Sequence, residues 1–206
     1  MGADLSRFMD LSQREEHSEE FRVMYLGAHG QANALDVLLQ AAKIVRDKGV
    51  RGIEFILVGD GPEKPKLTEL ARELGLTNVE FRDAVSKKEA PAVLCEADAC
   101  VFTLEKVEVF GYGISSNKLF DYMAAVKPVI FAVDASNNPV EEARCGLTVP
   151  PRDPQALAEV IIQLHQMRKE EREAMGRHGR EYVEKHHSIP VLTDKLETCL
   201  EEVMKR

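Results

Sequence analysis

The sequence has no CxxC pair, no Asp-x-Asp pair and no GxGxxG run. No apolar stretch approaches the roughly 20 residues of a membrane span, and the N-terminus has no signal-peptide profile. Each absence closes a class. The four cysteines, Cys95, Cys100, Cys145 and Cys199, are scattered and have no histidine at zinc-ligand spacing. They read as buried thiols in a reducing, cytoplasmic compartment rather than a disulfide framework. Positive charge is also short: Lys and Arg total 27 against 35 Asp and Glu, a net charge of -8. A general nucleic-acid binder needs a basic face to neutralise phosphates, so that class is set aside, although a local basic pocket remains compatible with the balance.

What remains is an ordinary globular chain: 206 residues, 44% hydrophobic and 30% charged, enough for one well-buried domain. Residues 1–20 are polar, with the charge run Arg14, Glu15, Glu16, His17, Glu19 and Glu20, and read as a linker or docking segment. From Phe21 onward strands and helices alternate. FRVMYL, IEFILV, the stretch 78–82, ACVFTL, VIFAV and 146–149 are short β-rich runs, each separated by a turn and a helical pattern. Right-handed crossovers make that order a doubly wound, Rossmann-like α/β domain of about six parallel strands over 21–190, with ligands in the crevice at the C-terminal strand ends. After PPRDPQ the pattern is helical only, over 156–167, 170–183 and a terminal helix 191–206. In EKHHS, His186 and His187 point to different sides of a helix and read as a solvated end rather than a metal pair.

The stretch YGISSNKLFDYMAAVKPVIFAVD, residues 112–134, carries the chemistry. Ser115, Ser116 and Asn117 are helix-capping types, Leu119, Phe120, Met123 and Ala124 mark one apolar face, and Pro128 stops the helix before a buried strand. A helix start offers unpaired N–H groups and a partial positive charge, and Lys118 adds a full one, so an anion is favoured there. Asp121, one turn on, has the acceptors to hold the two hydroxyls of a ribose. Together these point to a nucleoside diphosphate, while an ordinary capped helix with a solvated lysine stays open. A second candidate lies after the first strand, where Gly27 and Gly30 let backbone approach a phosphate and His29 can donate to it; a plain tight βα turn is the alternative. Asn33 is placed to cap the helix that follows.

GDGPEKPKLTELARELGL, FRDAVSKKEAP, SSNKLFDYMAAVKPVI, EEARCGLTVPPRDPQALAEVI and MGRHGREYVEKHHS, in this order, resemble the C-terminal half of retaining glycosyltransferases of the GT-B fold. The likeness is nearest to the branch that builds bacterial surface polysaccharides, and the opening GADLSRF is similar to the segment that enters that half. The resemblance implies a donor-binding domain for a UDP- or GDP-type nucleotide sugar, with no cofactor and no metal. It implies an acceptor-binding N-terminal domain, preceding Met1 or supplied as a separate subunit, and peripheral association of the full enzyme with the inner membrane face.

By the same resemblance, Asp121 stands where a Glu holds the ribose, and Lys118 and Leu119 with the Ser115, Ser116, Asn117 loop stand beside the diphosphate. Gly59, Asp60 and Gly61, with Ala84 and Val85, stand where the base is wrapped. Four positions depart from the pattern. A Glu expected eight residues before Asp121 is Gly113, the Arg and Lys expected near the diphosphate are Ala28 and Asn33, and the Gly of MAAGKP is Val126. Charge neutralisation then falls to His29 and Lys118. The implied reaction is sugar transfer with retention, with no base or nucleophile assigned in this chain. A non-catalytic nucleotide-sugar-binding module and an epimerase-like half remain as alternatives.

Overall fold

The structure, a computed structural model, describes residues 2–9 and 20–205. Six strands form one parallel sheet: β1 (Phe21–Leu26), β2 (Ile53–Val58), β3 (Val79–Arg82), β4 (Ala99–Thr103), β5 (Val129–Ala132) and β6 (Gly146–Val149), in the order β3-β2-β1-β4-β5-β6. The helices between them are α1 (Leu35–Asp47), α2 (Lys64–Glu73), α3 (Ala90–Cys95), the short α4 (Glu108–Gly111), α5 (Asn117–Ala124) and α6 (Pro139–Ala143). Three helices follow: α7 (Pro154–Gln166), α8 (Lys169–His186) and α9 (Ile189–Met204). This is the doubly wound Rossmann-like fold expected. Both faces of the sheet are covered, which is why β4 and β5 are buried at every position instead of alternating.

The chain runs outward from β1 to β3 and then jumps back to place β4 on the other side of β1. That reversal is the switch point where open α/β sheets bind ligands. Locally the ladder is short: β1 pairs with β4 only at Val23–Ala99 and Met24–Cys100, whereas β1 and β2 pair along six residues. Beyond Met24 a side chain takes over. The buried Tyr122 hydroxyl of α5 donates to the Leu26 carbonyl and accepts from the Leu26 N–H, both at 2.9 Å, so Leu26 stays satisfied without pairing to β4. The crevice opens beside that junction.

Several boundaries differ from the pattern reading. Helix α2 begins at Lys64, with Pro65 in the first helical turn, where its missing N–H has no partner to lose. Asn33 does not cap α1; it ends a 3-10 turn (Gln31–Asn33), and the cap position is Ala34, in the left-handed region at φ 47° with no side-chain capping bond. The terminal helix starts at Ile189. His187 is not a solvated helix end, since its ring stacks on Phe120 at 4.0 Å and its carbonyl accepts the Ala3 N–H at 2.9 Å.

Residues 2–9, within the expected linker, lie against the domain: Ala3 is fully buried, Phe8 is buried, and Asp4 caps a 3-10 turn over Leu5–Phe8 by accepting from the Ser6 N–H. Arg14 to Glu19 of the charge run lie outside the described residues. Among the described residues no helix is long and apolar enough to cross a membrane.

Candidate functional site

At the switch point, a pocket of about 360 Å³ lies between the 3-10 turn, β4 and the loop entering α5, lined among others by Asn33, Phe102, Leu104, Phe110, Ser115 and Lys118. Lys118 reaches into it from the first turn of α5. Its stem passes over Gly27, where an added Cβ would fall 2.9 Å from Lys118 Cδ, so the glycine makes the passage. Gly30 has no such role, with only Asn33 Nδ2 at 3.8 Å from its virtual Cβ. The Lys118 Nζ donates to Asn33 Oδ1 at 2.8 Å and to Tyr25 Oη at 3.1 Å, and it lies 4.4 Å from the Tyr25 ring centre and 4.8 Å from that of Phe102.

Both acceptors are fixed by one carbonyl. The Tyr25 hydroxyl donates to Ala28 O at 2.7 Å and Asn33 Nδ2 donates to the same oxygen at 2.9 Å, so the oxygens of Tyr25 and Asn33 are turned to the lysine. Among the described residues no carboxylate forms an ion pair with Lys118, and burial pushes its pKa down to about 7.

The loop before α5 is pinned from outside the helix. Asn137 clasps Ile114, accepting its N–H at 2.7 Å and donating to its carbonyl at 2.8 Å, and Gly113 precedes it at φ 115°. Ser116 occupies the cap position but makes no side-chain capping bond, which corrects the expectation that the loop side chains close the helix end. Leu119 is 1% exposed in the core, so its N–H is the only group it can offer a ligand.

Asp121 lies on the same helix but faces other elements. Its Oδ1 accepts from Arg7 Nη2 at 2.7 Å, and Arg7 Nη1 donates to the Lys87 carbonyl at 2.9 Å, so residues 2–9 are tied both to α5 and to the β3–α3 loop. Burial pushes the Asp121 carboxyl up, against the lowering effect of Arg7. The carboxylate expected to stand open for ribose hydroxyls is thus engaged by a guanidinium.

His29 does not stand at the pocket surface. It is 0% exposed, set against Tyr25 and edge-on to Phe81 with ring centres 5.9 and 6.2 Å away, and neither ring nitrogen has a hydrogen-bond partner. The cause is the β2–α2 loop folded over it: the His29 N–H donates to Asp60 O at 2.8 Å, its carbonyl accepts from the Glu63 N–H at 3.0 Å, and a Cβ on Gly61 would lie 2.6 Å from that carbonyl. Burial, followed by the nearby Lys64 charge, lowers its pKa, which keeps the ring neutral. The expected donation from His29 to a ligand phosphate is not available in this arrangement.

Gly59 is forced by the same packing, since a Cβ there would meet Gly27 O at 1.9 Å. Asp60 is exposed and accepts from the Gly61 N–H at 2.7 Å, and Ala84 and Val85 are exposed in the next loop, on the Arg7–Lys87 side. The candidate residues of α5 therefore fall into two groups, a pocket around Lys118 and an outer face around Asp121.

The model for glycosyl transferases group 1 matches residues 20–167, most of the chain and the whole sheet. The chain belongs to the glycosyl transferases group 1 family. Among relatives, it is 23% identical over 183 residues to WbjE of Pseudomonas aeruginosa, named as a glycosyltransferase, covering 87% of this chain and 44% of that protein. It is 24% identical over 208 residues to WcaL of Escherichia coli (strain K12), named as a colanic acid biosynthesis glycosyltransferase, covering 98% of this chain and 50% of WcaL. The chain thus spans about half the length of the curated relatives it matches. In structure it superposes on the C-terminal domain of the group 1 glycosyltransferase LpcC from Francisella tularensis with a TM-score of 0.74 at 17% identity, over 91% of this chain and 100% of that domain.

Membership of the glycosyl transferases group 1 family gives the departures noted in the sequence a structural setting. Val126, where the resemblance places glycine, has φ 60°, a left-handed conformation unfavourable for a β-branched side chain, and the Gly176 of α8 packs so closely that a Cβ there would lie 2.1 Å from Val126 O. Asn33, where it places lysine, is the residue that holds Lys118. Sequence reasoning missed Tyr25, Arg7, Asn137 and Lys64 as parts of the site. Tyr25 reads as one more apolar position of a buried strand, and the others read as surface polar residues; no local spacing links any of them to α5.

Proposed function

We propose that this chain is the donor-binding half of a glycosyltransferase: it holds a nucleoside diphosphate sugar, of UDP or GDP type, for transfer of the sugar to an acceptor with retention of anomeric configuration. The observation that carries the reading is Lys118, a partly buried lysine with no carboxylate partner among the described residues, at the start of a helix and facing a pocket at the switch point. As the sugar leaves, negative charge grows on the diphosphate, and Lys118 with the N–H groups of the first turn of α5 would stabilise it. Asp121 would take the ribose once Arg7 gives way, and the exposed Ala84–Val85 loop with Gly59–Gly61 would meet the base. The half-length match to WbjE and WcaL supports an acceptor domain elsewhere, in the same polypeptide or in a separate subunit, and the name of WcaL supports a polysaccharide product.

A second reading, a donor-binding module without chemistry, is favoured by Gly113, which puts no carboxylate where the resemblance expects one beside the sugar. Isothermal titration with UDP, GDP, ADP and their sugars tests the common core of both. Saturable binding of one diphosphate series is expected, and no binding by any of them would overturn the site. Transfer activity on adding the acceptor-binding half separates the enzyme from the module.

A further inference from the structure

Lys118 is held in a way that suits an amine better than an ammonium. An ammonium has three N–H donors and an amine has two with a lone pair. The Ala28 carbonyl, by taking the Tyr25 hydroxyl and the Asn33 amide as donors, leaves two oxygens, Tyr25 Oη and Asn33 Oδ1, aimed at Nζ. Two acceptors take both N–H donors of a neutral amine and leave its lone pair towards the open pocket, which is also the only direction a third proton could point. The walls are the rings of Tyr25 and Phe102, which stabilise a cation only modestly, and the stem is buried against Gly27.

We propose that Lys118 stands as a neutral amine in the free protein at slightly alkaline pH and takes up one proton when a diphosphate enters the pocket, so that anion binding and protonation are a single event. The inference rests on the reading of this pocket as a diphosphate site. The step balances simply: the Lys118 lone pair forms a third N–H bond with a proton from the buffer acid, whose bond to that proton breaks and leaves the electron pair on the buffer base. The new donor points where the anion sits, and the anion supplies the counter-charge the free pocket lacks.

The surrounding groups leave Lys118 as the one that changes charge near neutrality. On β1, the Tyr25 hydroxyl is held far above neutrality by burial, and His29 is pushed down by burial and the cations around it. On α5, the Tyr122 hydroxyl is likewise raised by burial and tied to Leu26, and Asp121 is bound to Arg7. Across the pocket mouth, Glu105 and Asp36 share Arg152, and Lys64 is bound to Asp83. Phe102 and Asn33 carry no charge. The downward shift of Lys118 to about 7 agrees with the geometry.

The test is calorimetry with UDP-glucose, UDP-N-acetylglucosamine and GDP-mannose, whose diphosphates do not titrate near neutrality, in buffers of different ionisation enthalpy. At pH 8 to 8.5 the observed enthalpy is expected to vary with buffer ionisation enthalpy at a slope approaching one proton, falling towards zero by about pH 5.5 to 6, with affinity dropping up to about tenfold per pH unit above 7. His29→Gln keeps the slope, and Lys118→Arg, which cannot deprotonate, binds without it. If Lys118→Arg does not fold, 15N NMR titration of the Lys118 amine in the wild-type chain replaces it, with a midpoint near 7 expected. Tight binding with a buffer-independent enthalpy at pH 8.5, a slope that survives Lys118→Arg, or a midpoint with the bulk lysines overturns the proposal alone. No binding by any nucleotide sugar overturns the reading of the pocket, and the proposal falls with it.

Discussion

Lys64 and Lys118 stand at matching places, each in the first turn of a helix that opens on the C-terminal edge of the sheet, and their surroundings are opposite. Lys64 Nζ donates to the carbonyls of Gly59 and Arg82, both at 3.0 Å, and to Asp83 Oδ1 at 2.9 Å, so it ties the ends of β2 and β3 together and its charge is compensated. Lys118 has two neutral acceptors, two aromatic walls and a pocket in front of it. The first arrangement satisfies the folded chain. On the proposed function, the second leaves a favourable contact unmade until an anion arrives, which is the general difference between a structural and a binding cation.

Exchanging each lysine for methionine should break that contrast in opposite directions. The largest effect is expected for Lys118→Met on nucleotide-sugar affinity, a loss of about 30- to 100-fold, or roughly 2–3 kcal/mol for a charge-assisted contact. Its melting temperature should stay level or rise, because a partly buried, poorly compensated amine is removed; titration calorimetry and thermal unfolding measure both. Lys64→Met should do the reverse, costing about 1–2 kcal/mol of stability by taking the lysine donor from the Gly59 carbonyl, while the Arg82 carbonyl keeps the Gly59 N–H, with a smaller change in affinity. Chemical denaturation reads the first and calorimetry the second, and equal losses of affinity in the two variants would erase the distinction.

The pH dependence of stability sharpens the comparison further. The folded pKa of Lys118, about 7, lies below an unfolded value near 10.5. Between those values the unfolded chain binds more protons, so this residue makes stability rise with pH, by at most about 1.4 kcal/mol per unit, and contributes no slope below the window. The difference between wild type and Lys118→Met, followed by denaturation at pH 7, 8 and 9, isolates that slope; Lys64→Met should run parallel to wild type.

The smallest effect is expected at the outer face. Arg7→Ala removes a partly buried ion pair, side chains 23% and 20% exposed, and should cost about 0.5–1 kcal/mol of stability while raising nucleotide affinity up to about 3-fold by freeing Asp121. Weaker nucleotide binding in this variant would mean that Arg7 positions Asp121 instead of competing for it.

The elements of the fold were largely legible because their signals are short. Phe21–Leu26, Ile53–Val58 and Ala99–Thr103 are buried β-rich runs closed by turns, and α5 shows its apolar face and its Pro128 stop within a dozen residues. The site was legible only as types and places. Lys118 and Asp121 could be named from one helix, but His29 read as a donor because its cover, the Gly59–Gly61 loop, comes thirty residues later in the chain.

By itself the sequence determined the alternation of strands and helices and the place of Lys118 at the start of α5, since hydrophobic periodicity and turn chemistry are properties of about ten consecutive residues. Only the tertiary structure decided what each charge is bound to. Tyr25 and Asn33 come to Lys118 from 93 and 85 residues away, and Arg7 comes to Asp121 from 114. Strand order brings these partners together, and compensation of a buried charge depends on atoms within a few ångströms, whatever their separation along the chain.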